Sequence, residues 1–196
     1  MSVTTGSTSP GIKPVTWLLD VDGVLNAVAR KPDLSVWPAS AWVRLQAQAG
    51  GRTYPILAAR PVLDFVTEVA ASDTVEVRWH TTWRHDAVAS LAPALGLPEL
   101  VVEHAPEFDS RAGSASGYAG TYSGPAWWKL PAARRVIAGG GALVWTDDDL
   151  ARVSVRREVD EEPVPVERAL LIAPRTELGL TPAHLREIAA FVERWQ

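Results

Sequence analysis

The sequence predicts an α/β fold, in which one domain over residues 15–196 is built on a mostly parallel sheet. Apolar runs of strand length alternate with segments whose apolar residues recur at helical spacing, and this alternation is typical of parallel sheets. Two of the runs, at 16–19 and 142–146, end directly in aspartates. Ligands of such sheets bind at the carboxyl ends of the strands, so we expect the functional site at these two ends.

Composition limits the classes of protein to which the chain can belong. A hydrophobic content of 47% and a charged content of 21% are ordinary for a soluble globular protein. The net charge of -4 provides no overall basic field for long nucleic-acid tracts. The absence of cysteine excludes disulfides, thiolate catalysis and cysteine-ligated zinc.

Residues 1–14 are predicted to form a disordered tail, because they are rich in Ser, Thr and Gly and lack the apolar core of a signal peptide. No apolar run approaches the ~20 residues that a membrane span needs. We therefore expect a cytoplasmic protein without a membrane partner.

The first predicted strand, at 16–19, leads into Asp20-Val21-Asp22-Gly23. Two carboxylates so close together repel each other unless a cation or a shared proton offsets their charge. The plain alternative is a strand followed by an acidic turn, since Asp-Gly is a common turn pair. After this, a glycine pair at 50–51 joins strand patterns at 41–48 and 53–57, which predicts a β-hairpin.

A helix is predicted from Pro61 to about residue 72, followed by a second strand at 74–79. The strand runs on to Thr81 and Thr82, whose hydroxyls would lie at its carboxyl end. The alternative is that paired threonines simply favour strands.

A short helix at 86–92 and a third strand at 100–103 come next. The loop at 106–125 is rich in Gly, Ser and Ala but lacks the GxxxxGK[ST] pattern, so we interpret it as a mobile connection. The four histidines show no metal-ligand spacing, and His80 is expected to be a packing or surface residue.

Lys129, one of three lysines, stands just before a predicted helix at 131–138. A lysine is most often a solvated surface residue. The fourth strand, at 142–146, ends in three consecutive aspartates, and such a cluster costs electrostatic energy unless a hard cation relieves it. Carboxylate oxygens suit Mg²⁺. Asp149, the last of the three, is interpreted as the cap of a helix at 149–159.

The chain ends with a fifth strand at 169–173 and a helix that Thr181 caps and Pro182 opens. The side chains that this helix is expected to bury are Leu185, Ile188, Ala189, Val192 and Trp195.

Residues 16–26 resemble motif I of the haloacid dehalogenase (HAD) superfamily, which has the form DxDGV. The resemblance extends to three further motifs and covers most of the chain after residue 15. Motif II is a hydroxyl residue that ends the second strand, motif III a lysine near the start of a helix, and motif IV an apolar strand that ends in two aspartates. The matching residues are Thr81 (with Thr82 as the alternative), Lys129, Asp147 and Asp148.

The resemblance implies a Rossmann-like three-layer sandwich with a β-hairpin flap and no large cap domain. It also implies a Mg²⁺-dependent phosphohydrolase that acts through an aspartyl-phosphate intermediate. Asp20 would be the nucleophile, and Asp22 would protonate the leaving group and then activate water. Dehalogenases of the family lack the second acid, because a halide needs no proton, so a phosphatase is favoured.

The remaining site residues follow from the same resemblance. Thr81 and Lys129 would hold and neutralise the phosphoryl oxygens. The implied metal ligands are Asp20, Asp22, Asp147 and Asp148, of which Asp148 would bind through water or orient the site.

The substrate is expected to be phosphorylated, and a nucleotide or a nucleic-acid terminal phosphate is the specific prediction. The chain is similar to small HAD domains associated with RNA repair, and tryptophans near the motifs could stack on a base. Thr82 and Trp83, with Trp127 and Trp128, are the residues expected near the entrance; the alternative is that these indoles fill the core. A catalytically silent binding or regulatory HAD-fold domain and a small-metabolite phosphatase are the alternative functions.

Overall fold

We describe a computed structural model over residues 13–103, 127–161, 164–165 and 167–196. The loop predicted at 106–125 lies outside the described residues, as does nearly all of the tail predicted at 1–14. Two residues of that tail are described, and one of them, Lys13, donates a hydrogen bond from Nζ to the carbonyl of Gly139 at 2.5 Å.

A five-stranded sheet lies at the centre of the part of the chain described above, and all its neighbouring strands run parallel. Its order is β5-β4-β1-β6-β7. The strands of this sheet are β1 (Val15–Leu19), β4 (Val75–Trp79), β5 (Val101–Val102), β6 (Leu143–Thr146) and β7 (Ala169–Ile172). The chain therefore moves outward from β1 on one side and then crosses to the other side. Such a reversal beside β1 leaves a crevice at the carboxyl ends of β1 and β6, where open α/β sheets bind ligands.

Strand β1 is the middle of this sheet and is buried throughout. It pairs with β4 on one side and β6 on the other, and at its end Leu19 lies opposite both Trp79 and Thr146. The Trp17 indole donates to the Thr146 hydroxyl at 3.0 Å, which joins β1 to β6 through side chains as well. A strand covered on both faces and both edges can be apolar at every position, which accounts for the continuous run in the sequence.

Helices cover both faces of the sheet, so the fold has three layers. One core cluster contains Trp17 with residues of the first and last helices, and the other contains Leu18 with residues of the third and fourth. The helices are α1 (Arg60–Ala70), α2 (Ala92–Leu95), α3 (Leu130–Ala138), α4 (Val153–Glu161) and α5 (Pro182–Glu193). The predicted α/β class and mostly parallel sheet are confirmed.

The predicted hairpin is confirmed as β2 (Trp42–Ala49) paired antiparallel with β3 (Arg52–Ala59). The two turn glycines, at 50–51, have φ values of 55° and 74°. Both are in the left-handed region, which two-residue hairpin turns of type I′ require. The amide of Gly50 donates to the Asp86 carboxylate at 2.9 Å, so the hairpin tip is tied to the segment that leads into α2.

Several predicted boundaries differ from the structure. The helix predicted at 86–92 is a π-helical turn over Ala87–Leu91 that continues without a break as α2, and Pro93 lies in the first turn of α2. The third strand has only two residues, Val101–Val102. The last helix begins as predicted after Thr181, and it buries Phe191, which the sequence interpretation omitted.

No helix in the described residues has both the length and the apolar character required to cross a membrane.

Candidate active site

The candidate site lies at the carboxyl ends of β1 and β6, on either side of the crevice. Asp20 directly follows β1, and its amide donates to the carbonyl of Thr146 at 3.1 Å. Asp147 directly follows β6. The parallel register of the two strands therefore brings together two aspartates that are far apart in the sequence.

Lys129 is buried between these two aspartates. Its side chain is 3% exposed, and its Nζ lies 2.9 Å from Asp20 Oδ2 and 2.6 Å from Asp147 Oδ2. The ammonium also lies 6.0 Å and 5.6 Å from the ring centres of Trp127 and Trp128, within the range of a cation–π contact. The alternative of a solvated surface lysine is excluded.

Electrostatics keep Lys129 charged despite its burial. Loss of hydration acts to lower its pKa, but the Asp147 and Asp20 carboxylates more than offset this, so the pKa of Lys129 is raised above its usual value. The lysine therefore places a permanent positive charge between two carboxylates.

Three carboxylates, those of Asp20, Asp147 and Asp148, have oxygens within 4.8 Å of one another. Asp147 is fully buried, and its burial raises the pKa of that carboxyl well above its ordinary value. Burial also raises the pKa of Asp148, although the Thr176 hydroxyl donates to its Oδ2 at 2.5 Å. One ammonium cannot balance three carboxylates, and a set of oxygen ligands suits a hard divalent cation such as Mg²⁺. These residues therefore fit the predicted metal.

Asp22 is not part of this group. Its Oδ1 accepts a hydrogen bond from Asn26 Nδ2 at 2.7 Å, and its Oδ2 accepts one from the Trp83 indole at 2.9 Å. Burial raises the pKa of Asp22, and these two hydrogen bonds oppose that rise. The group of three carboxylates does not include that of Asp22, and the predicted role of Asp22 as a metal ligand stays a prediction.

Gly23 is required by the close approach of the two strand ends. Its φ is +75°, and a Cβ atom built there would lie 2.4 Å from Cγ of Asp148. Any other residue would be strained and would also displace that aspartate. The Asp-Gly pair therefore serves the site as well as the turn.

The two candidate threonines after β4 differ in their placement. Thr81 is buried, and its Oγ1 accepts a hydrogen bond from the Trp83 amide at 3.3 Å, whereas Thr82 is exposed. The amide of His80 donates to the carbonyl of Leu19 at 2.8 Å, so the end of β4 lies beside the end of β1. Thr81 is accordingly the residue that fits a role inside the site.

Of the two interpretations of these tryptophans, the one in which they fill the core agrees with their burial, whereas a place at an exposed entrance does not. Trp83, Trp127 and Trp128 are 5%, 7% and 9% exposed. Trp127 stacks on Trp145 with ring centres 4.9 Å apart, so these indoles fill the core below the site. They leave no open ring face of the kind that stacking on a nucleobase requires.

His80 is fully buried, as a packing residue. Its ring packs edge-on against Trp128, with ring centres 5.3 Å apart, and in a tilted arrangement against Trp145, with ring centres 5.8 Å apart. Burial, with Lys129 nearby, holds the pKa of His80 well below its usual range. The imidazole is therefore neutral and takes no part in the charge balance of the site.

Asp149 does not cap the following helix as predicted. A 3-10 turn over Asp148–Ala151 precedes α4, and the Asp147 carboxylate caps that turn by accepting from the Asp149 amide at 3.0 Å. The Asp149 side chain instead pairs with Arg152 at 2.8 Å.

Two residues of the site were missed from the sequence. Asn26 is buried and joins Asp22 to the hairpin, because its Oδ1 accepts from the Leu57 amide at 2.9 Å. Thr176, which follows β7, binds Asp148. The position of Asn26 just after the Asp-Gly turn was a possible signal, whereas nothing local marks Thr176.

No family model, curated protein or solved structure matches the chain. The interpretation of the site therefore depends on its own geometry. That geometry combines a buried cation, a group of carboxylates able to bind a metal ion, and a separate carboxylate held by hydrogen bonds.

Proposed function

We propose that the protein is a Mg²⁺-dependent phosphohydrolase of the HAD type, which acts through an aspartyl-phosphate intermediate. The observation that carries this proposal is the position of Lys129 between Asp20 and Asp147 at the crevice of the sheet. A buried, charged lysine beside a would-be nucleophile is what an anionic phosphoryl group needs for binding. A purely structural role would not require the further carboxylate of Asp148 beside this pair.

The chemistry follows from the two separate carboxylates at 20 and 22. An oxygen of Asp20 attacks phosphorus, and the bond to the leaving oxygen breaks as Asp22 gives that oxygen a proton. Water then attacks the phosphorus of the aspartyl-phosphate, and Asp22 takes a proton from it. The bond between phosphorus and Asp20 breaks, which releases phosphate and restores the carboxylate.

The other residues bind and orient the phosphoryl group. Lys129 offsets negative charge on its oxygens, and Thr81 supplies a hydroxyl beside the end of β1. Asp20, Asp147 and Asp148 would hold Mg²⁺, which supplies further charge neutralisation when bound.

The proposed substrate is a nucleotide or a nucleic-acid terminal phosphate. Between β1 and α1 the chain inserts the hairpin and no larger domain, so a bulky substrate can approach this side of the site. Because Trp83 is buried, base stacking by that residue does not support this substrate. With a net charge of -4, the protein would bind a nucleic acid at its terminal phosphate and not along its length.

The test is release of phosphate from p-nitrophenyl phosphate by the purified protein, in Mg²⁺ and in EDTA. We expect Mg²⁺-dependent turnover that Asp20→Asn abolishes, because an amide is a poor nucleophile. Asp149→Asn is the matched control, since this neighbouring carboxylate lies outside the metal group, and it should retain activity.

A phosphoenzyme trapped by acid quench in the wild type, and absent from Asp20→Asn, would support the covalent step. A folded wild-type protein that binds Mg²⁺ but hydrolyses none of a panel of aryl, nucleotide and sugar phosphates would instead indicate the silent binding domain. Preference for sugar phosphates would indicate the small-metabolite phosphatase.

A further inference from the structure

Trp83 contacts the loop that carries Asp22, the hydroxyl of Thr81 and the β-hairpin. Its indole Nε1 donates to Asp22 Oδ2 at 2.9 Å, and its backbone amide donates to the Thr81 hydroxyl at 3.3 Å. Its ring also packs edge-on against Tyr54 of β3, with ring centres 5.6 Å apart. A buried tryptophan usually finds one partner for its N–H, but here the partner is a carboxylate beside the proposed nucleophile.

The two hydrogen bonds to Asp22 differ in what they can fix. Asn26 lies in the same short loop as Asp22, so its donor moves with the aspartate. Trp83 lies 61 residues away, at the end of a neighbouring strand. The indole is therefore the contact that fixes Asp22 relative to the body of the sheet.

The position of Trp83 is itself tightly determined. The next residue, Arg84, has φ 52°, a left-handed conformation uncommon for a residue other than glycine. The Arg84 amide donates to the carbonyl of Thr81 at 3.2 Å, and the Asp86 amide donates to that of Trp83 at 3.0 Å. This tight turn directs the indole towards Asp22 and holds it there.

We infer that Trp83 is a positioning residue, which orients the Asp22 carboxyl group for proton transfer to the leaving oxygen. This inference rests on the proposed function. Each carboxyl oxygen has two acceptor sites, so the bonds from Trp83 and Asn26 leave room for the proton that Asp22 delivers. Proton transfer needs the acid within hydrogen-bond reach of the leaving oxygen, and a rotated carboxyl group would not meet that condition.

The consequence depends on the leaving group. An alkyl alcohol leaves only with a proton, whereas 2,4-dinitrophenolate leaves without one. Misorientation of Asp22 therefore slows the first kind of substrate selectively, whereas a general loss of structure slows both. The ratio kcat/KM reports the steps up to departure of the leaving group, so later hydrolysis of the aspartyl-phosphate does not affect the comparison.

The experiment measures kcat/KM of the full chain in Mg²⁺ for an alkyl phosphate and for 2,4-dinitrophenyl phosphate. Trp83→Phe keeps an aromatic side chain but deletes the N–H together with the pyrrole part of the indole, and the control variant loses the same atoms. We expect a fall of about tenfold or more for the alkyl phosphate, within the range of general acid catalysis, and little change for the dinitrophenyl ester. Trp37→Phe is the matched control, because its buried indole donates to the backbone carbonyl of Leu180 and not to Asp22. It should behave as the wild type with both substrates.

Equal losses with both substrates, no loss, or the same selective loss in Trp37→Phe would each overturn the inference while leaving the phosphohydrolase intact. A wild-type protein inactive with both esters would overturn the proposed function and the inference with it. If Trp83→Phe does not fold, the same comparison is made with benzothienylalanine at position 83, which replaces the N–H by sulfur and preserves the shape of the indole.

Discussion

Replacement of Lys129 by methionine tests the centre of the site directly. Methionine has nearly the same length and is apolar, so Lys129→Met keeps the contacts with Trp127 and Trp128 while it removes the charge. The two ion pairs, at 2.9 and 2.6 Å, are lost together, and the carboxylates of Asp20 and Asp147 then face each other with no cation between them.

The structure allows the size of both effects to be worked out. Removal of one partner from a buried ion pair destabilises a protein by about 3–5 kcal/mol, and Lys129 is buried enough for that range to apply. Loss of a preorganised donor at a site of developing charge costs about 10²–10³ in kcat, or ~2.7–4 kcal/mol. We therefore expect a variant that unfolds at clearly lower urea concentration and that hydrolyses p-nitrophenyl phosphate at least a hundredfold more slowly, on the same estimate.

The assay compares this variant with Lys13→Met, in which an exposed lysine at the amino end of β1 is changed in the same way. The control should match the wild type in rate and, nearly, in stability. A folded Lys129→Met protein with an unchanged rate would show that the lysine has no part in the reaction. Unchanged stability would refute the electrostatic account of the ion pairs themselves.

Two further predictions follow from neighbouring groups. Mg²⁺ should raise the melting temperature of the wild type in a thermal-shift titration, and Asp147→Ala should abolish most of this rise, whereas Asp149→Ala should keep it. The opposite result would assign the metal ligand to Asp149 instead of Asp147. His80 is neutral when folded, with a pKa well below 6.5, so the unfolded chain binds a proton that the folded chain does not as pH falls below about 6.5. The contribution of His80 to stability is therefore fully present above that pH and is lost below it, by up to about 1.4 kcal/mol per pH unit. Urea unfolding at several pH values should show that His80→Phe lacks this contribution to the slope.

The strand ends of the site were predictable because they follow from pattern. A mostly apolar run that stops at an aspartate marks where a buried strand leaves a parallel sheet, and this placed Asp20 and Asp147 at one edge. The glycine pair at 50–51 marked the hairpin turn in the same local way. Lys129 needed more than pattern, because only the resemblance to the HAD motifs singled it out.

What could not be predicted depends on contacts between distant residues. Whether a tryptophan beside a polar motif faces solvent or the core is decided by neighbours such as Tyr54, which lies in the hairpin. The direction of the Asp22 side chain depends on Trp83, and no local pattern reports that bond. Asp149 was misjudged because a 3-10 turn, capped by Asp147, precedes the expected helix.

The pairing of β1 with β6 also has a consequence for synthesis on the ribosome. Trp17 and Thr146, which bond across these strands, are 129 residues apart. At about 5–20 residues per second, β1 waits roughly 6–26 s for its second neighbour to be translated. During that time the fully buried central strand has an open edge, and such edges are prone to intermolecular pairing. We therefore expect nascent chains that stop before residue 146 to aggregate or to need a chaperone, since the central strand lacks the partner that completes it.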